Sequence, residues 1–372
     1  MTLDQSTRIA VGIMTGTSLD GIDACALSLQ GRGMDIRAEH IGFTSLPLDT
    51  LADALRDLCA GVPASARSIA MLRTRLGTRC SDAVDQLGLD RVDLVAVHGQ
   101  TVHHDRSSSW QLVDSTPIAQ RHRCAVVCDL RSMDRAAGGE GAPITPLADW
   151  ILHRTDAPRA IVNLGGFINC TLLPAEHDPA PCSSIKGFDV CPCNHLLDAI
   201  ARTSLDRPFD EDGAMARSGS TCIEQLAPLT ARLSEFREQG RSLGTGDEDL
   251  ARMNQLTEAL GGADAAATTC TAIATTLARA LQPHDVHEVL LAGGGAMNRA
   301  LVEAINDAMG EEVVVGRLEQ GSQREAAAMA VLGALAWDGV PVTLPAVTGR
   351  ADTHARDGSW VLPLVSMDAQ TP

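Results

Sequence analysis

Aromatic side chains are scarce in this chain: 2% of 372 residues, with five Phe, four Trp and no Tyr. Stacking platforms for nucleic-acid bases are therefore poorly supplied. Cations are also in deficit, 30 Lys and Arg against 47 Asp and Glu, for a formal charge of −17. Polyanions are held by clustered Lys and Arg, so a nucleic-acid partner is not expected. No apolar run approaches the roughly 18 residues of a membrane span, and the opening MTLDQSTR lacks the apolar core of a secretory leader. The expectation is a cytoplasmic protein with no membrane partner. Paired zinc-knuckle spacing is missing too. The eleven cysteines are scattered through apolar segments, where reduced Cys behaves as a small hydrophobe. A structural metal at Cys182, Cys191, Cys193 and His195 is the competing reading.

What the chain does have is length and glycine-bearing turns. With 45% hydrophobic residues it can bury a large core, and its length suggests two domains. Val11 to Leu29 reads as strand, polar Gly-rich reversal, strand. Gly16, Thr17, Ser18, Asp20 and Gly21 at its tip offer close backbone approach, hydroxyls and a carboxylate, as a phosphate tail with hydrated Mg²⁺ requires. An ordinary hairpin is the plainer alternative. Asp35 to Leu46 continues as a third strand, and helices are expected over 51–60 and 65–87. VDLVAV, Val92 to Val97, reads as a buried parallel strand. The polar residues just beyond it, His98, Gln100 and Thr101, lie where open α/β sheets bind ligands.

Asp134 to Pro143 reads as a Gly-rich loop crossing between domains. The second half opens as the first did, with strand, Gly165-Gly166 turn and strand from Ala160, a hint of internal duplication. Further helices are expected over 194–203 and 262–281. Strand Val286 to Leu291 then runs through Gly293, Gly294 and Gly295 to Asn298 and a helix, a turn that brings N–H groups to a helix N-terminus. The Pro-rich Val340 to Thr348 reads as extended.

Nine pieces in order resemble the anhydro-N-acetylmuramic acid kinases, within the sugar kinase and actin superfamily. They are GTSLDGID (Gly16 to Asp23), HGQTVHH (His98 to His104), DLRSMDRAAGGEGAP (Asp129 to Pro143), NLGGFIN (Asn163 to Asn169), GFDVCPCN (Gly187 to Asn194), FDEDG (Phe209 to Gly213), AGGGAMN (Ala292 to Asn298), REAAAMA (Arg324 to Ala330) and LPAVTG (Leu344 to Gly349). The resemblance implies an α/β, two-domain actin-like ATPase fold, a duplicated ribonuclease H-like unit with an interdomain cleft. Residues 1–137 with about 358–370 would form one lobe and 138–357 the other. It further implies that water opens the 1,6-anhydro ring of anhydromuramic acid while ATP phosphorylates the freed 6-oxygen, in peptidoglycan recycling.

On this resemblance Asp189 is the catalytic carboxylate that takes a proton from the attacking water. Arg131 and Glu325 hold the sugar, Arg131 as a clamp on its lactyl carboxylate, with His98, Gln100 and Thr101 beside them. Gly16, Thr17, Ser18, Leu19, Asp20, Gly21, Ile22 and Asp23 form the ATP phosphate loop, and Asp20 would hold Mg²⁺ through water. Asn163, Gly165, Gly166, Gly293, Gly294, Gly295 and Asn298 would supply further nucleotide contacts. The partners are then ATP, Mg²⁺ and an anhydro amino sugar, with a homodimer as the assembly entertained.

The chain departs from the family where GFDTGPGN reads GFDVCPCN. Two Cβ-free positions are lost there, which would narrow a phosphate approach. A catalytically weakened nucleotide- or sugar-binding relative is the alternative that this motivates, and a chaperone-type ATPase closing on a protein is a third. Local alternatives also stand. His98, His103 and His104 could be metal ligands or hydrogen-bonding wall residues. Asp129, Arg131 and Asp134 could be a surface charge cluster. Asp210 and Asp212 could form a turn or helix cap.

Overall fold

The computed structural model describes residues 7–16, 19, 21–105, 108–238, 250–352 and 354–364. It divides into two compact units, residues 1–153 with 323–372 and residues 154–322.

The first unit opens with β1 (Arg8–Thr15), β2 (Gly21–Gln30) and β3 (Arg37–Pro47), an antiparallel meander whose apolar residues are almost all buried on β1 and β2. Helices α1 (Leu51–Cys59) and α2 (Ala66–Gln86) follow, α2 begun by the Ser65 hydroxyl accepting from Ser68 N. Next come β4 (Leu94–His98), then β5 (Gln100–His104) paired with β6 (Ser109–Leu112). The segment after β4 is thus a small hairpin. It is followed by α3 (Thr116–His122), β7 (Ala125–Cys128), α4 (Ser132–Ala136) and α5 (Pro146–His153).

The second unit holds β8 (Arg159–Leu164), β9 (Phe167–Leu173), α6 (Pro181–Ser184), β10 (Lys186–Pro192) and α7 (Asn194–Leu205). Then come α8 (Ala214–Ser218), α9 (Ile223–Glu238), α10 (Leu250–Leu260) and α11 (Gly262–Leu281). It closes with β11 (Glu288–Ala292), α12 (Arg299–Met309) and β12 (Val314–Arg317). Five threonines of α11 sit in or beside the core because each hydroxyl bonds the carbonyl four residues back, as Thr268 does to Asp264 and Thr276 to Ala272. The chain then returns to the first unit with α13 (Arg324–Trp337), α14 (Pro345–Thr348) and β13 (Ser359–Val361).

Both sheets repeat one topology. The first runs β13-β7-β4-β1-β2-β3 and the second β10-β9-β8-β11-β12. In each, the first strand pairs antiparallel with the second and parallel with the fourth, and the fourth pairs parallel with the fifth. Two copies of this 3-2-1-4-5 order make the duplicated ribonuclease H-like arrangement of actin-like ATPases.

Three expectations are corrected. The unit boundaries fall at 153/154 and 322/323 rather than 137/138 and 357/358, because α13 packs on β1, β2 and β4 and on α5. The Asp134 to Pro143 segment does not cross between units: it begins inside α4, and the fully buried Asp134 carboxylate ties it down by accepting from Gly141 N at 2.7 Å. The Pro-rich tail is not wholly extended, since Pro345, with φ already fixed for a helix start, opens α14.

How closely α13 lies on β1 is set by Gly12, where a Cβ would run into the backbone of Ala326 and Ala330. Gly12→Val is expected to lower unfolding stability by about 1–3 kcal/mol, toward the upper end because backbone must move. A denaturant midpoint equal to wild type would contradict this packing.

Candidate functional site

In the first unit, the anticipated sugar-side residues collect at the carboxyl ends of the parallel strands. His98 ends β4 opposite Met14 of β1, and Arg131 stands just past β7 at the start of α4. Arg131 Nε donates to His98 Nε2 at 3.0 Å, and Nη1 donates to the Gly141 carbonyl at 2.7 Å. Burial lowers the Arg131 pKa to about 10 against the opposing pull of Glu325, Asp129 and Asp134, so it remains cationic at neutral pH.

Glu325 occupies the first turn of α13. Crowding by protein pushes its carboxyl above the ordinary glutamate range, Asp149 and Asp23 push the same way, and Arg324 and Arg131 pull back. Its neighbour Arg324 turns inward to a bidentate pair with Asp149, at 2.8 and 2.6 Å. Asp149 is fully buried, and breaking such a pair typically costs about 3–5 kcal/mol. The pair fixes the turn that carries Glu325.

Thr15 Oγ1, at the end of β1, and Gln100 Oε1 are buried without a hydrogen-bond partner among the described residues. Buried polar atoms are nearly always satisfied, so both stand out as orphaned groups near strand ends of the first unit. Thr101 follows on β5, its carbonyl accepting from Gln100 Nε2 and Cys59 Sγ, each at 3.4 Å.

Of the expected phosphate loop, Thr17, Ser18 and Asp20 lie outside the described residues, and the Mg²⁺ role of Asp20 with them. Leu19 N donates to the Gly16 carbonyl at 3.2 Å, and the Leu19 side chain is buried in the core at φ 55°. Ile22 is likewise core, and a Cβ on Gly21 would press on the Leu46 carbonyl. Leu19, Gly21 and Ile22 therefore shape the hairpin from within, and only their backbone could meet a ligand.

In the second unit, Asp189 on β10 pairs with Asn169 on β9, which pairs with Asn163 on β8. Directly opposed residues share a sheet face, so the three half-buried polar groups form a row. A bulge between Asp189 and Cys191 interrupts the ladder next to the carboxylate, a device that re-aims a side chain.

The glycine turns lie at the same end of this sheet. The Gly166 carbonyl accepts from Cys193 N at 2.7 Å, the Gly165 carbonyl from Asn194 N at 3.1 Å, and Asn194 Nδ2 donates to the Leu164 carbonyl at 3.0 Å. A Cβ would strike His195 from Gly166, Asn163 from Gly293, and Leu164 and Asn194 from Gly295. Gly294 differs: its Cβ would meet nothing nearer than Asn194 Nδ2 at 3.7 Å. Packing alone thus demands Gly166, Gly293 and Gly295, Gly165 is tight at 3.3 Å, and Gly294 leaves room beside the chain. The Asn298 side chain caps α12 by accepting from Leu301 N at 3.1 Å, which commits its oxygen to the helix.

Several alternatives resolve. Val190, Cys191 and Cys193 are fully buried in the core of the second unit, and burial pushes both thiols up. These departures from the family pattern are packing changes directed inward, and all eleven cysteines are free thiols. Among the described residues no group of three or more His, Cys, Asp or Glu could hold a metal. His103 pairs with Asp105 and His104 with Ser109, each at 2.9 Å. Asp129 accepts from Ser132 N, and Asp210 caps α8 by accepting from Met215 N and Ala216 N at 2.9 and 3.0 Å. Sequence reasoning missed Asn169, Asn194 and the Asp149–Arg324 pair. Asn169 was legible as the residue that alternation in NLGGFIN puts opposite Asn163; the buried pair, 175 positions apart, left no local signal.

The Glu325 environment yields a direct test. Its carboxyl should titrate above an ordinary glutamate, and Arg131→Gln should raise it further by removing a cation that holds it down. Carbon-13 titration of the side-chain carboxyl checks this; a midpoint that falls in the variant would place Arg131 elsewhere.

Comparison with known proteins adds the rest. The sequence model of the family Anhydro-N-acetylmuramic acid kinase matches residues 8–359. A protein of that name from Salinibacter ruber is 33% identical over 378 residues, 93% of this chain and 94% of the relative. One from Acidiphilium cryptum is 34% identical over 346 residues, 91% of this chain and 94% of the relative. Solved structures are more remote. The activator of the 2-hydroxyisocaproyl-CoA dehydratase from Clostridium difficile with bound ADPNP superposes with TM-score 0.41 at 15% identity, over 88% of this chain and 94% of that one. A ROK family glucokinase from Streptomyces griseus in complex with glucose and AMPPNP gives 0.37 at 13%, over 87% and 99%. With the family matched across nearly its whole length and relatives a third identical over nine-tenths of it, this chain belongs to the anhydro-N-acetylmuramic acid kinase family.

Proposed function

We propose that this chain opens 1,6-anhydro-N-acetylmuramic acid with water and phosphorylates it from ATP, giving N-acetylmuramic acid 6-phosphate in cytoplasmic recycling of peptidoglycan. Family membership supports the reaction. The observation that carries the site is Asp189, retained beside a bulge at the end of a polar row of one sheet face.

Asp189 takes a proton from the attacking water as its oxygen bonds to C1 of the sugar and the C1–O6 bond breaks. The freed O6 attacks the γ-phosphorus, and the bond to the ADP oxygen breaks. An aspartate suits this task because it is ionised at neutral pH, with an ordinary pKa of about 3.9. Arg131, cationic and held at two of its nitrogens, binds the lactyl carboxylate. Glu325, Gln100 and Thr101 line the same sugar side, and the unmet Gln100 Oε1 suits a hydroxyl or amide donor of the sugar.

The backbone of Gly16 to Asp23 receives the phosphate tail, next to the unmet Thr15 hydroxyl. The turn at Gly294, open beside the chain, receives the rest of the nucleotide with Asn163 and Gly165. As the family resemblance implies, Asp20 would hold Mg²⁺, which would supply positive charge to the phosphates. Because Val190, Cys191 and Cys193 point into the core, the reading as a weakened relative loses the feature that motivated it.

Asp189→Asn should bind ATP and the anhydro sugar within about threefold of wild type and lose about 10²–10⁴ in turnover, the usual worth of a general base. Coupled ADP release and phosphosugar formation measure this, and a variant as active as wild type would remove Asp189 from the reaction. Chelation by EDTA should stop turnover and added Mg²⁺ restore it; turnover indifferent to chelation would remove the ion from the proposal.

A further inference from the structure

His98 is 5% exposed, and both ring nitrogens are engaged. Nδ1 lies 2.9 Å from the Gly99 carbonyl oxygen and Nε2 lies 3.0 Å from Arg131 Nε. A carbonyl can only accept and a guanidinium can only donate, which fixes the tautomer: the proton is on Nδ1 and the lone pair on Nε2. An imidazolium would turn a second donor toward Arg131. Burial, and after it the Arg131 charge, keep the ring neutral, with His104 acting in the same direction.

The other side of Arg131 is held just as firmly. Gly141, whose carbonyl accepts from Nη1, is fixed through its own N–H by Asp134 at 2.7 Å. Asp134 is fully buried and accepts from the Thr343 and Thr348 hydroxyls at 2.5 and 2.6 Å. The guanidinium plane is therefore set by two acceptors. Among the described residues Nη2 makes no hydrogen bond, and it is the nitrogen left for an anionic oxygen.

We infer that His98 is a positioning residue: it touches no substrate, but as a neutral acceptor on Nε it aims Arg131 so that Nη2 meets the carboxylate of the sugar. This replaces a direct substrate contact by His98, and it rests on the reading that Arg131 binds that carboxylate. A side-on fork through Nε and Nη2 is closed, since Nε already donates to the ring.

The test compares two ligands by calorimetry, 1,6-anhydro-N-acetylmuramic acid and its lactyl methyl ester, which lacks the charge. His98→Phe removes the acceptor at similar volume; it should weaken the acid about tenfold and leave the ester within about threefold. His98→Gln, which keeps a carbonyl acceptor, should return the acid to within about threefold of wild type. Equal losses for acid and ester, no loss for either, or failure of the Gln variant to rescue would overturn the inference. Arg131→Gln separates the two readings. If it leaves the preference for the acid intact, the Arg131 assignment fails. If it abolishes the preference while His98→Phe does not, only the inference about His98 fails. Nitrogen-15 spectra of the unsubstituted protein add a check free of mutation: His98 should stay neutral with its proton on Nδ1 between about pH 5 and 8. A charged ring or the other tautomer in that range would equally overturn it.

Discussion

Much of the first unit depends on the closeness of α13 to the sheet. Nearly every residue of that helix is buried, Ala and Gly lower its profile, and Gly12 on β1 and Gly333 on the helix remove the side chains that would hold the two apart. Dispersion and apolar burial reward such an approach only where backbones can come together without strain. At the N-terminal end of the helix, apolar packing gives way to the Asp149–Arg324 pair, which orients the first turn. Glu325 inherits its place from both, so a group assigned to ligand binding owes its position to contacts made away from any ligand.

The two sheets share an order but carry different chemistry at matched positions. On the penultimate residue of the first strand stand Met14 and Asn163, on the facing residue of the second strand Asp23 and Asn169, on the third Ser45 and Asp189, and on the fourth His98 and Ala292. The fold demands apolar strands and a tight reversal in both copies and is indifferent to the polar identity at their ends. That indifference allowed one copy to place a carboxylate on its third strand and the other to place an arginine, backed by histidine, beyond its fifth. The groups proposed to act on ligands stand at or near strand termini, where open α/β sheets present side chains to ligands.

Much of this was legible from sequence. Apolar runs located β1, β2, β4, β8 and β11 closely, and the Ala/Thr helix over 262–281 was read with its bounds intact, because periodicity and composition act locally. The helices between 214 and 260 have no counterpart in the sequence reading. The unit boundary was misplaced because it rests on where α13 packs, a property of surfaces far apart in the chain. At the site, the motifs named Arg131, Glu325 and Asp189 but not what holds them. Glycines read as ligand-facing were mostly required by neighbours such as His195 and Asn194, since a missing Cβ looks the same in sequence whichever partner it makes room for.

The buried carboxylate of Asp134 has one more consequence. It gathers a loop of the first half of the chain and two threonines more than 200 positions later, and Arg350 in turn donates to Thr343 at 2.6 Å while Asp357 accepts from Val342 N. The C-terminal segment thereby helps to hold the loop whose Gly141 carbonyl fixes Arg131, although it contributes none of the groups proposed to meet the ligand. A polypeptide emerging during synthesis holds His98 and Arg131 long before it holds Thr343. Until those two threonines have been made, the carboxylate lacks both hydroxyl donors, so the loop that it holds reaches its finished geometry only after Thr348 has been added.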